Sequence, residues 1–158
     1  MTRKRLFLLL IFPVLVGIAG LALLVNSMGC NYTLRSTHRD VDYYGVCRGG
    51  FVNLVETDLT TGSTWTVGAF QFSLADQLLF VVHSRNHIRE SSGKATSVLD
   101  TYNRSLGAIS FVNYAWMPVG RRRVVFFQTS PYHDVLTMTR EGHISLWDAY
   151  FPYDRPAY

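Results

Sequence analysis

The hydrophobic pattern divides the chain into two regimes. From Leu6 to Val25 it reads LFLLLIFPVLVGIAGLALLV, without a charged or hydrogen-bonding side chain. As an α-helix this run extends about 30 Å, the thickness of a bilayer's hydrocarbon core. Pro13, Gly17 and Gly20 form helix poorly in water but are tolerated in a membrane helix. From Gly49 onward the text changes to short apolar stretches rich in Val, Phe, Thr, Tyr and Trp, punctuated by turn residues. That is the pattern of strands.

Phe51 to Thr57 reads as a strand, with a turn at Thr60–Ser63 and a second strand from Thr64 to about Phe72. Gly68 marks a candidate bulge. Gln77–Arg89 has a continuous apolar core, Leu78 to Val82, and then turns polar before the Ser91–Lys94 turn. Thr96–Trp116 reads as one strand or two, interrupted near Gly107. A turn at Met117–Gly120 precedes a strand from Arg121 to Gln128. The last unit reads as a hairpin, Val135–Met138 and His143–Trp147, about a turn at Thr139–Gly142. Ser73–Leu79 is the helix candidate, with Ser73 as cap and Leu74 and Leu78 on one face.

Short turns between consecutive strands favour an antiparallel meander. The expected fold is mainly β: an N-terminal transmembrane helix, then an antiparallel β-sheet domain, folded as a sandwich or half-barrel with one short helix. The expected divisions are a basic tail at 1–5, an anchor at 6–25, a membrane-proximal segment with both cysteines at 26–48, and a β-rich domain at 49–158. Asn26–Gly45 reads as a connector, and 151–156 as an irregular tail.

Charge adds sidedness. The formal net charge is +4. Arg3, Lys4 and Arg5 precede the apolar run, and the other 12 basic residues nearly balance 11 acidic ones. A near-neutral domain gives no support to direct nucleic-acid binding. The basic cluster puts the N-terminus in the cytoplasm by the positive-inside rule, and the domain in the periplasm of a bacterial inner-membrane, single-pass protein. The apolar run is longer than the core of a cleaved signal peptide, although Ser27-Met28-Gly29 fits a cleavage site. Acylation of Cys30 is a third fate, with Ser27 where a large aliphatic residue is usual. The uncleaved anchor is the favoured reading.

Cys30 and Cys47 both follow the anchor, and in an oxidising compartment an even pair reads as a disulfide. Two free thiols, or a lipid on Cys30 with Cys47 buried, remain alternatives. Neither cysteine has a partner at metal-ligand spacing, and no metal or cofactor is expected. His83 and His87 are four apart, which on a strand puts them on one face but about 13 Å apart, too far to share an ion. Tyr132-His133-Asp134 sets an imidazole beside a carboxylate, but no GxSxG or SxxK accompanies it. No catalytic residue is assigned, no small-molecule site is identified, and the chain is expected not to be an enzyme. His38, His83, His87, His133 and His143 are candidate pH-sensing groups, set against ordinary surface histidines.

Arg121, Arg122 and Arg123 form the basic run of the domain, suited to an anionic headgroup or acidic partner, or to guarding a strand end against aggregation. With Tyr114, Trp116, Trp147 and Tyr150 they make a candidate partner surface, while core filling is the usual role of such aromatics.

The layout resembles small bacterial inner-membrane proteins of the FidL-like and ToxS-like kind, including the PsaF/MyfF type. The resemblance rests on Arg3-Lys4-Arg5, the Leu6–Val25 run, and strand-like segments such as Leu99–Ser105 and Arg123–Phe127. It covers the whole length but is architectural, with no specific motif. It implies a non-enzymatic accessory protein that stabilises or tunes a membrane-bound winged-helix activator of the ToxR type. An envelope lipoprotein or assembly factor anchored through Cys30, or an anchored periplasmic enzyme, are the alternatives.

Overall fold

Alternating inward and outward side chains run through eight strands, and the first and last of them pair. In the computed structural model the described residues are 3–91, 97–107, 110–130 and 133–152, with side chains described from Ile11. Helix α1 (Arg3–Met28) leads into β1 (Asn31–His38), β2 (Val41–Arg48), β3 (Phe51–Asp58), β4 (Thr64–Leu74) and β5 (Gln77–Arg89). Then come α2 (Val98–Ser105), β6 (Ser110–Val119), β7 (Arg123–Ser130), β8 (Asp134–His143) and α3 (Leu146–Tyr150). The chain is therefore mainly β, with an apolar N-terminal helix before an antiparallel sheet.

Every neighbouring strand pair is antiparallel, and β8 returns to β1 from Asn31↔His143 to Arg35↔Thr139. The sheet is thus a closed barrel in the order β1 to β8. The strand pattern predicts a sandwich or half-barrel, and the ring closes because the expected connector is not one. Residues 31–48 supply β1 and β2, and β1 is the strand that meets β8. Closure leaves no edge strand to template pairing with another chain.

Alternation of direction sorts the turns to two ends. The Gly49-Gly50, Ala75-Asp76 and Gly120–Arg122 turns lie at the end where α1 enters. The turns at 39–40 and 58–63, helix α2, the end of β7 and the start of β8 lie at the other end. Gly49 and Gly50 have φ of +59° and +85°, as a two-residue hairpin turn demands.

Two expected turns and helices fall elsewhere. Ser73–Leu79 is the tight β4–β5 hairpin, where Leu78 is fully buried and Leu74 is exposed. Those two leucines share no face. The expected Val135–Trp147 hairpin is one strand, β8, followed by α3. Its polar stretch misleads because Arg140 points inward, where it donates to the Asp148 carboxylate at 2.7 Å and lies over the Trp116 ring. Helix α2 falls where a strand is expected. Thr96 and the Ser92–Lys94 part of the expected turn lie outside the described residues, as does most of the 151–156 tail.

The strand interiors build the core. Cys30, Tyr32, Leu34, Cys47, Leu78, Trp116, Val124, Phe126, Leu136 and Ile144 form one buried cluster toward the α1 end. Val67, Ala69, Val82 and Val112 form a second. Cys30 and Cys47 form a disulfide, Cα–Cα 5.8 Å, joining the start of β1 to the end of β2. That sulfur is then not free to carry a thioether-linked lipid.

Helix α1 is long and apolar enough to cross a membrane. Its residues from Ile11 to Val25 are mostly exposed. Its C-terminal turn is bonded to the barrel. The Asn26 side chain donates to the Ser73 carbonyl (2.9 Å) and accepts from the Trp147 amide (2.9 Å), while Ser27 Oγ accepts from the Ser73 amide (2.8 Å).

Candidate functional site

The barrel encloses an apolar chamber of about 110 Å³, lined by Leu34, Val52, Leu54, Val67, Ala69, Phe80, Val82, Val112, Phe126 and Met138, with Gly45 contributing bare backbone. These are inward positions of all eight strands, and small residues at Gly45 and Ala69 leave the middle unfilled. Toward α1 the chamber has a polar floor. Tyr32 Oη donates to Gln71 Oε1 (2.7 Å), and Gln71 Nε2 donates to the Ile144 carbonyl (2.7 Å). Burial pushes the Tyr32 phenol up, so it stays a donor.

At the far end the chamber meets a vestibule of about 660 Å³, within the usual size of small-molecule sites. Tyr43, Leu54, Glu56, Tyr102, Tyr114 and Met138 line both spaces. Arg39 and Asp40 border the vestibule with φ of +50° and +62° and no glycine to relieve them. They are the two-residue turn between β1 and β2, which demands positive φ at both positions.

Charge at the neck is concentrated in one assembly. Glu56 of β3 accepts from Asn103 Nδ2 of α2 (2.7 Å), and Asn103 Oδ1 accepts from Arg85 of β5 (2.7 Å). Arg85 also donates to Ser110 Oγ (3.0 Å), while its buried Nε has no hydrogen-bond partner among the described residues. Burial pushes the Glu56 carboxyl up, against smaller opposing effects of Asn103 and Arg85. Burial also raises the phenols of Tyr43 and Tyr114, with Glu56 adding to both. The neck therefore presents neutral hydroxyls and one cation beside a carboxyl.

Two clamps hold α2 over this neck. Ser97 Oγ, before α2, donates to Asp58 Oδ2 (2.5 Å), and Asp58 Oδ1 accepts from Thr60 and the Thr60 and Thr61 amides. Burial works against ionisation of Asp58, but those donors outweigh it and hold its carboxyl well below the usual range. The second clamp is Asp100, which accepts from Ser63 Oγ and from Trp65 Nε1 (2.8 Å). His87 Nε2 lies 3.4 Å from the same carboxylate oxygen and 3.1 Å from Ser63 Oγ, with its ring stacked on Trp65. Burial again opposes, and Ser63, Trp65, His87 and Arg104 prevail, lowering the Asp100 carboxyl.

Ser63, His87 and Asp100 are the residue types of a hydrolase triad in a different arrangement. The serine hydroxyl donates to the aspartate, both oxygens address the same histidine nitrogen, and Ser63 is fully buried. A triad needs the histidine between the other two, with the serine open to substrate. These three hold a helix in place.

The sequence-expected residues are distributed rather than gathered. Trp116 is buried and Tyr114 lines the chamber, so neither belongs to a partner surface. Arg121, Arg122, Arg123, Trp147 and Tyr150 are exposed at the α1 end. His38 and His133 line the vestibule, His38 Nε2 lying 3.7 Å from Asp134. Tyr132 lies outside the described residues. His83 and His87 do not share a face, because a register shift in the β4–β5 ladder falls at His83. The shift at Gly68↔Ser84 and Ala69↔Val82 leaves His83 exposed against Phe70 (5.0 Å), while His87 is drawn in. The bulge expected at Gly68 is there. Its extra residue is on the opposite strand, and a Cβ on Gly68 would meet the His83 ring at 2.8 Å. His143 pairs with Asn31 at the other end, so the five histidines form no single cluster. Among the described residues no three His, Cys, Asp or Glu side chains gather as metal ligands.

Glu56, Arg85 and Asn103 are site residues with no motif in the sequence to mark them. The visible signal was one of period: Glu56 and Arg85 occupy inward strand positions, where a charge must be paired.

The fold and chamber define a class, a helix-led, eight-stranded antiparallel barrel with an internal apolar cavity opening under a short helix. No protein-family model matches the chain, and no curated protein or solved structure matches it either.

Proposed function

We propose that the chain is a non-enzymatic, membrane-anchored accessory protein whose barrel takes up a small apolar molecule and thereby tunes a membrane partner. The observation that carries this reading is the apolar chamber continuing into a polar-necked vestibule. Such a space suits a molecule with a hydrocarbon body and a hydrogen-bond acceptor at one end. The body replaces water against Val, Leu and Phe walls, and the acceptor meets Arg85 and the neck phenols. Eight-stranded barrels are wide enough to hold one small ligand.

Anchoring in the bacterial inner membrane, with the barrel in the periplasm, is supported by the apolar helix, the basic cluster before it and the disulfide after it. The bonds from Asn26 and Ser27 to the barrel support an anchor retained in the mature protein. The resemblance in layout makes a ToxR-type winged-helix activator the proposed partner. Confinement of both to one membrane raises their effective concentration.

The test is uptake of N-phenyl-1-naphthylamine by the full chain in detergent, read as a fluorescence rise saturating at one probe per chain. Native mass spectrometry of the chain from its membrane should show a co-purifying apolar small molecule. Absence of saturable uptake together with an empty mass spectrum overturns ligand binding. An unchanged level and activity of every membrane-bound winged-helix protein after deletion of the chain overturns the partner assignment.

A further inference from the structure

We propose that the α1 end of the barrel lies in the headgroup layer of the membrane and binds anionic lipid there. The proposal rests on the membrane-spanning reading of α1 and extends it to the barrel. Three observations converge on this end.

The first is the joint. Helix α1 runs unbroken to Met28, and only Gly29 and Cys30 separate it from β1. Three residues past Val25 add about 4.5 Å of helix. The bonds of Asn26 and Ser27 to Ser73 and Trp147 then tie the helix to the barrel. Gly29 is packed so closely that a Cβ would strike the Leu146 backbone nitrogen at 2.8 Å. No slack remains for the barrel to stand away from a bilayer that α1 crosses.

The second is what this end exposes. Leu74 in the β4–β5 turn is 67% exposed, and Trp147 and Tyr150 of α3 are 58% and 76% exposed. Their kind, rather than exposure as such, marks this end, since Leu59, Ile88 and Val98 are exposed at the other. Trp and Tyr are the residues enriched at membrane interfaces, where an apolar ring and a polar edge are both satisfied.

The third is charge. Arg121 and Arg122 in the β6–β7 turn, and Arg123 at the start of β7, are all exposed. No ion pair involving them occurs among the described residues. Guanidinium groups bind phosphate by paired hydrogen bonds. Beside interfacial aromatics they meet the phosphodiesters of an anionic leaflet, which attract basic residues held within a Debye length.

The test uses the full chain in nanodiscs of phosphatidylcholine with or without phosphatidylglycerol. Trp65 and Trp116 are buried in the barrel, so quencher access reports mainly on Trp147, with Trp147→Phe as the control. Brominated lipid should quench this signal, and acrylamide should reach it poorly. Native mass spectrometry should count more retained phosphatidylglycerol than phosphatidylcholine. The Arg121→Gln/Arg122→Gln/Arg123→Gln variant should lower that preference by more than about tenfold with an unchanged thermal transition. Full acrylamide access without bromine quenching overturns the headgroup placement. Retention unaffected by the triple variant overturns the lipid assignment of the arginines. Release of the chain from membranes by alkaline carbonate overturns the spanning reading itself, a separate outcome.

Discussion

Glu56 is a carboxyl placed where its charged form is disfavoured. Its burial at the neck raises its folded-state pKa above that of the unfolded chain. The folded state therefore holds a proton that the unfolded state gives up first. The stability Glu56 contributes is fully present below the unfolded value, near 4.5, and is lost as pH rises toward and through the folded value. Asp58 and Asp100 act oppositely. Their carboxyls are lowered, so their contribution is complete above about pH 4 and is lost as pH falls through the folded values. We predict that Glu56→Gln flattens the decline in stability above pH 4.5, a decline of at most about 1.4 kcal/mol per pH unit in the native protein. Urea unfolding at a series of pH values measures it. A slope unchanged by the substitution would assign the decline to other groups. Asp58→Asn should instead weaken the protein at neutral pH and reduce its loss on acidification.

At the scale of elements, the two devices that close the barrel's ends differ in kind. The α1 end has a covalent tie, the Cys30–Cys47 disulfide across β1 and β2. A loop of 17 residues corresponds to about 3 kcal/mol in the chain-entropy model. Reduction with dithiothreitol should lower stability by roughly that amount, with the far end's contacts intact, as read by calorimetry. The far end has only polar clamps. Asn103→Ala removes the one side chain that bridges Glu56 and Arg85, at a cost of about 1–3 kcal/mol for leaving buried groups unpaired. It should also speed probe entry, because α2 loses its central attachment. Equal entry rates in stopped-flow mixing would mean that α2 does not gate the chamber.

These elements were legible in the sequence to very different degrees. The apolar helix, the disulfide pair and the strands β3, β4, β5 and β7 carry strong local patterns. Helix α2 does not, since eight residues with Asp100 and Asn103 facing inward lack an apolar stripe. Strands β1 and β2 hide because their outward positions carry Arg35, Thr37 and Asp42, which read as a polar loop. What decides them is pairing with β3 and β8, a long-range fact with no local signature. The neck assembly fails for the same reason, as Glu56, Arg85 and Asn103 come from three elements.

For the whole molecule, the chamber sets stability against binding. Its apolar walls lose dispersion contacts across the gap, and a cavity of this kind is a known reserve of unrealised stability. Ala69 is buried in the wall of the chamber, midway along β4. Ala69→Leu puts three more carbon atoms into that space. The unliganded protein should gain about 0.5–2 kcal/mol, the range usual for cavity filling. The same leucine occupies the volume a ligand body needs. Saturating an apolar probe at 100 times its Kd stabilises a binding protein by about 2.7 kcal/mol. Thermal unfolding of both proteins, with and without N-phenyl-1-naphthylamine, should therefore cross over. The native chain starts lower and rises on probe addition, and the variant starts higher and stays there. A variant that is less stable without probe means the chamber relaxes too little to take a leucine, and Gly45→Ala, whose added Cβ would sit 3.6 Å from Leu54 Cδ1, is then the milder filling. A probe shift of equal size in both proteins places the binding site outside the barrel and leaves the chamber a packing defect.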